Sequence, residues 1–306
     1  MIAFVFPGQG AQKVGMGRAL AAAFPICRDT FAEADDALGE SLSRLCFEGP
    51  EERLLLTENT QPAILAMSTA VARLAVSRGL QPSFAAGHSL GEYSAHVAAG
   101  TLSFADALRT VRRRGRYMQE AVPVGAGAMA AILGLDADGV ARACAEAAGD
   151  EIVTPANLNA PGQVVIAGHA AAVARASERA RALGARRAIP LAVSAPFHCP
   201  LMKPAEDRLA PELRALTAHD PSVPVVANVD AEPKRTAAAA IDALIRQVSS
   251  PVRWEDVVRR LAAEGVTRVV ELGPGSVLAG LIRKIDRSLA VASVEDEAGL
   301  EAALGA

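Results

Sequence analysis

The stretch Gly87-His88-Ser89-Leu90-Gly91-Glu92-Tyr93 constrains this chain more than any other. A short strand pattern around residues 83–86 runs into it, and a helical pattern to Gly100 leaves it. A G-x-S-x-G sequence between strand and helix describes a sharp turn that holds a serine up at a sheet edge. The serine backbone is strained there, and a Cβ on the flanking positions would strike neighbouring backbone, so glycine occupies both. The helix start behind Ser89 offers free N–H groups and a positive dipole to a developing oxyanion.

The rest of the chain suits a sheet with helices on it. It has 306 residues, 51% of them hydrophobic and only 4% aromatic, so Ala, Leu and Val must build the core. Residues 2–6 read as a buried strand ending in the turn Pro7-Gly8-Gln9-Gly10. That turn is not a dinucleotide fingerprint, because Lys13 stands where the last glycine belongs. Helices are expected over 15–23, 28–38 and 57–79, the last entered at Pro62 and closed by Gly79. Ser103 with Asp106 resembles a helix start before Phe104.

From about residue 125 the order becomes strand, helix, strand, strand, helix, strand, a ferredoxin-like unit. Strand–helix alternation resumes with residues 224–229, helices at 238–248 and 253–264, the run Thr267–Leu272 and a last helix after Gly273-Pro274-Gly275. The expected fold class is α/β: a mainly parallel sheet in residues 1–123 and 194–306, with the ferredoxin-like insertion at 124–193.

Net charge is −3, which argues against nucleic-acid binding as the main task. Cys27, Cys46, Cys144 and Cys199 form no C-x-x-C pair and no zinc spacing, which fits reduced thiols in the cytoplasm. The N-terminal apolar run lacks a basic flank and is too short for a signal peptide, and no uninterrupted apolar stretch is long enough to span a membrane. No metal site is expected.

A serine hydroxyl needs a base. The candidates are His88, His96, His169, His198 and His219. His198 has the best setting, in a proline-flanked loop after a strand, whereas His88 diverges from its neighbour and His96 lies two turns down a helix. For a third member, Asp256 and Glu271 are the acidic side chains to consider. The run Arg112-Arg113-Arg114-Gly115-Arg116 can be a solvated face, but helical spacing separates its members. Phe104, Leu108, Val111, Gly115 and Met118 make one apolar stripe. Arg113 points away from it, Arg112 and Arg116 share one flank, and Arg114 borders the other alone, beside Met118.

Seven separated segments, among them FVFPGQGAQ, GHSLGEYSA, RGRYMQEAVPVGAGAMAAI, NLNAPGQVVIAG and APFHCPLMKPA, together resemble the malonyl-CoA:acyl carrier protein transacylases of bacterial fatty acid synthesis. The resemblance runs in order from residue 2 to about 285. It implies an α/β-hydrolase-like sheet domain with a ferredoxin-like insertion. It also implies Ser89 as nucleophile, His198 as base, and the backbone carbonyl of Gln247 as the group orienting His198. The backbone N–H groups of Gln9 and Leu90 become the oxyanion hole, and Arg114 the carboxylate-binding residue. Phe197 matches a position where malonyl-selective members carry a bulky ring; with Met118 it is expected to shape the acyl site. The implied substrates are malonyl-CoA and a holo acyl carrier protein, with no permanently bound cofactor, and a monomer is expected. Arg112, Arg116 and Lys203 are candidates for carrier docking. The rival readings are a serine esterase or thioesterase, a non-catalytic scaffold for carrier proteins, and a trans-acting malonyl transferase of a polyketide synthase or of malonate decarboxylase.

Overall fold

The computed structural model describes residues 1–193 and 195–305. Ser194, where the expected insertion boundary falls, and Ala306 lie outside the described residues. Among the described residues ten strands form two sheets: β1 (Ile2–Phe6), β2 (Phe84–Gly87), β3 (Gly127–Leu133), β4 (Val153–Ala160), β5 (Gln163–His169), β6 (Arg187–Pro190), β7 (Val225–Val226), β8 (Pro233–Lys234), β9 (Arg268–Leu272) and β10 (Ala290–Val294). The larger sheet has the order β10-β9-β1-β2-β7-β8 and is parallel except for β8. The smaller is antiparallel, in the order β4-β5-β3-β6.

The central strands of the larger sheet are apolar throughout because both faces are covered. Along β1 the side chains alternate: Phe4 and Phe6 join one buried cluster, Ala3 and Val5 another. The first cluster packs against helices Thr57–Ser77 and Phe104–Glu120, the second against Trp254–Ala263 and Val277–Ile285. The smaller sheet has its own core, in which Ile132, Val164 and Ile166 pack on Val140, Ala143, Val173 and Ala176. One parallel bridge, Asn157 to Val252, ties β4 to the chain entering helix Trp254–Ala263.

Several elements carry little sequence signal. The short helices Leu42–Glu48 and Glu51–Leu54, the helices Lys203–Arg214 and Glu297–Leu304, and the strands β8 and β10 all fall where no element is expected. Strand β10 lies at the sheet edge and is mostly half-buried, so its apolar pattern is diluted. Helix Thr57–Ser77 carries Pro62 inside it rather than at its entrance. Asn59 Nδ2 and Thr60 Oγ1 donate to the carbonyls of Arg53 and Leu54, which anchors the turn ahead of the proline. At Ser103 the expected cap forms, its hydroxyl accepting from Asp106 N–H.

In a parallel sheet the carboxyl ends of the strands share one edge, and loops leaving them converge. Phe6 of β1 lies beside Gly87 of β2, and β7 pairs with β2 on its other side. The loops that follow carry Gln9, Ser89 and Asn228 to the same place.

Candidate active site

Ser89 sits in the left-handed region with φ of 53°. The two glycines around it fit by close approach. A Cβ on Gly91 would lie 2.1 Å from the Phe6 carbonyl oxygen, and one on Gly87 1.9 Å from the Gly91 carbonyl carbon. The elbow is therefore pressed against β1 without room for a methyl group. A Gly91→Ala protein is expected to lose about 3 kcal/mol of stability. A lower urea midpoint, at unchanged slope, checks this; an unchanged midpoint would mean that the elbow is not packed as described.

Ser89 Oγ lies 2.7 Å from His198 Nε2, although 109 residues separate them. The other ring nitrogen, Nδ1, is 3.0 Å from the Gln247 carbonyl oxygen. A carbonyl can only accept, so Nδ1 carries the proton and Nε2 is left as acceptor for the serine hydroxyl. His198 is itself at positive φ, 58°, and 3% exposed. Its burial, and secondarily the Arg114 guanidinium, push the imidazole down to about 3. A base held neutral in this way works without prior deprotonation by solvent. The expected outcome is that kcat/KM for acylation stays level as pH falls through 6.5, the ordinary imidazole value. An acidic limb centred there would contradict it.

Arg114 is 2% exposed, and no ion pair involves it among the described residues. Its fork is held by two amide oxygens: Nη1 donates to Gln61 Oε1 at 2.7 Å and Nη2 to Gln247 Oε1 at 2.9 Å. Nη2 also reaches Ser89 Oγ at 3.1 Å. Gly115 makes this placement possible, because its missing Cβ would meet Glu58 Cα and the Thr57 carbonyl at 2.7 Å, so the two helices touch. The other arginines of the run are ion-paired, Arg112 largely covered, Arg113 half-exposed and Arg116 exposed. Arg112 pairs with Glu40, Arg113 with Glu212 and Arg116 with Glu58. A buried guanidinium whose hydrogen bonds all go to neutral groups is costly, and a carboxylate is the partner that best offsets the cost.

These groups line a cavity of about 140 Å³, together with Gln9, Leu90, Met118, Met129, Asn157 and Phe197. The backbone N–H groups of Gln9 and Leu90 have no hydrogen-bond acceptor among the described residues. Met118 and Phe197 are 1% and 8% exposed and supply apolar wall.

The other histidines are occupied elsewhere. His88 bonds to Asn159, His96 is buried beside Thr101, His169 accepts from Ile152 N–H, and His219 is exposed. Neither acidic candidate reaches His198: Asp256 pairs with Arg253, and Glu271 caps helix Val277–Ile285 through the N–H groups of Leu278 and Ala279. Lys203 is taken up by Glu206 and Asp207. All four thiols are free and buried, and burial pushes them up to between about 11 and about 12. Among the described residues no three His, Cys, Asp or Glu side chains group to hold a metal ion, and no helix is long and apolar enough to cross a membrane.

Four site residues escape a reading of the sequence: Gln61, Glu92, Asn228 and the side chain of Gln247. Gln61 and Gln247 are polar residues that sit fully inside apolar helix faces, which is the one signal they give. Asn228 follows a two-residue strand and gives none.

The chain is similar to known proteins over nearly its full length. A family profile described as acyl transferase domain matches residues 3–301. The malonyl CoA-acyl carrier protein transacylase of Salmonella typhimurium is 53% identical over 303 residues, covering 99% of this chain and 98% of the relative. An acyl carrier protein S-malonyltransferase from Vibrio cholerae, solved as a crystal structure, superposes with a TM-score of 0.97 at 50% identity, covering 99% of each chain. A malonyl-transacylase solved in complex with a type II PKS acyl-carrier protein superposes equally well, TM-score 0.97 at 51% identity and 99% of each chain. The chain belongs to the malonyl CoA-acyl carrier protein transacylase family.

Proposed function

We propose that this protein moves a malonyl group from coenzyme A to the phosphopantetheine thiol of an acyl carrier protein, through a malonyl ester on Ser89. The observation that carries the reading is Arg114, a buried guanidinium with no direct ion pair among the described residues, whose Nη2 lies 3.1 Å from the Ser89 hydroxyl. An acyl group that ends in a carboxylate answers that charge while its thioester carbon meets the serine.

The roles follow from the geometry. His198 Nε2 takes the hydroxyl proton as Ser89 Oγ attacks the thioester carbonyl, and the Gln247 carbonyl stabilises the imidazolium through Nδ1–H. The oxyanion falls to the N–H groups of Gln9 and Leu90. As the intermediate collapses the C–S bond breaks, and His198 returns the proton to the leaving coenzyme A thiolate. The carrier thiol then enters, gives its proton to His198 and attacks the serine ester; Ser89 leaves with that proton. No net redox change occurs, and the cycle is ping-pong. Guanidinium and carboxylate match as planar forks, which selects a dicarboxylic half-thioester over an acetyl group. Phe197, beside His198, crowds an α-methyl branch, so methylmalonyl is disfavoured.

The strand order supports reading the smaller sheet, residues 124–193, as a ferredoxin-like insertion in an α/β-hydrolase-like domain formed by 1–123 and 194–306. A cytoplasmic location fits the family and the free thiols. The relative solved with a type II PKS carrier favours a second carrier class for the same chemistry. Malonyl, acetyl and methylmalonyl thioesters offered in parallel, with holo carriers of both kinds, test the reading. Malonyl transfer to carrier should far exceed release to water; release without transfer would make the protein a thioesterase.

A further inference from the structure

Beneath the serine lies a buried carboxylate that the reaction above does not use. Glu92 is 0% exposed, in the first turn of helix Gly91–Ala98, and burial pushes its carboxyl up to about 7. Its Oε2 accepts from Gln247 Nε2 at 2.8 Å and from Asn228 N–H at 2.9 Å. Both donors also grip the serine. Asn228 Oδ1 accepts from Ser89 N–H at 2.7 Å, and its Nδ2 donates to the Gly87 carbonyl at 2.6 Å. Gln247 Nε2 donates to the Ser89 carbonyl at 2.9 Å.

We propose that Glu92 is the positioning residue of the nucleophile, holding both peptide groups of Ser89 in their strained conformation by way of Asn228 and Gln247. This rests on the reading of Ser89 as nucleophile. A residue at φ 53° relaxes unless its neighbours fix it. Here one oxygen anchors the Asn228 backbone and the Gln247 side chain, the two residues whose side chains hold its N–H and its C=O. The same bond sets the Gln247 amide: with both Nε2 hydrogens directed to Glu92 and Ser89, Oε1 is the atom left for Arg114. What the site needs from residue 92 is an acceptor at the Oε2 position. Glutamine supplies one without charge, and alanine supplies none.

The test compares Glu92→Ala, Glu92→Gln and Glu271→Ala with the parent. Glu271 is a second buried carboxylate; it caps a helix and accepts from the Ser293 hydroxyl, with no hydrogen bond to Ser89, Asn228 or Gln247. Single-turnover acylation by malonyl and by acetyl thioesters is followed by intact mass. Glu92→Ala should slow acylation by both by about 100-fold, the cost of a misplacement near 1 Å, with KM little changed. Glu92→Gln should keep most of the rate, and Glu271→Ala should lower the melting temperature without changing kcat. If Glu92→Ala does not fold, Glu92→Asp withdraws the acceptor by one methylene and should show the same loss in kcat. A Glu92→Ala or Glu92→Asp protein at the parent rate overturns the proposal. So does a Glu92→Gln protein as slow as Glu92→Ala, or an equal loss of kcat in Glu271→Ala. Failure of the nucleophile reading looks different: the parent itself would form no ester on Ser89.

Discussion

Replacing Arg114 with alanine slows acylation by malonyl-CoA by about 10³-fold and leaves acylation by acetyl-CoA nearly unchanged. The size follows from the burial. Removing one partner of a buried ion pair costs about 3–5 kcal/mol, and each 1.36 kcal/mol is tenfold in rate. The selectivity follows from position. Arg114 touches Ser89 Oγ, yet His198 Nε2 and the two N–H groups that would bind the oxyanion remain without it. An uncharged acyl group therefore loses little. It can gain, because the guanidinium helps push His198 down and its removal makes the imidazole more basic. Lysine at 114 restores charge without the paired donors, so it should recover only part of the loss. Rates with the two thioesters, measured for parent and variant at saturating substrate, check this. An equal loss on both would assign Arg114 to the architecture of the site.

Replacing His198 with alanine slows Ser89 acylation by about 10⁴-fold, for malonyl and acetyl thioesters alike, at the upper end of general-base contributions. No other histidine can substitute: His88 is held by Asn159, and the remaining three lie outside the cavity. The loss should fall on kcat, since the imidazole meets the substrate only as the proton moves. Return of the acyl group to the carrier should slow to the same degree, because one imidazole serves both half-reactions. Burst and steady-state measurements separate them. A variant that acylates normally but fails to transfer would require a second base.

The residues that meet in the cavity were legible where residue type alone marks them. Ser89 is marked by two glycines that the elbow needs, Arg114 by its angle on a helix, and His198 by a loop setting. The resemblance supplied what residue type cannot. A backbone carbonyl, that of Gln247, has no signature in a sequence, and neither do the N–H groups of Gln9 and Leu90. The support beneath the serine was illegible for a related reason. Glu92, Gln247 and Asn228 act through hydrogen bonds spanning 136 to 158 residues, and nothing local reports that a polar residue is buried and paired. The fold shows the same division. Strands β1, β2 and β9, buried on both faces, stand out as apolar runs, while the two-residue β8 and the edge strand β10 do not.

The central claim is that Ser89 carries the malonyl group between two thiols. Peptide mapping by mass spectrometry, after brief mixing with malonyl-CoA, measures it directly. One malonyl group should appear on the peptide containing Ser89 and disappear when holo acyl carrier protein is added, with the same group then found on the carrier. Transfer to the carrier without any adduct on that peptide, or in a Ser89→Ala protein, would contradict it.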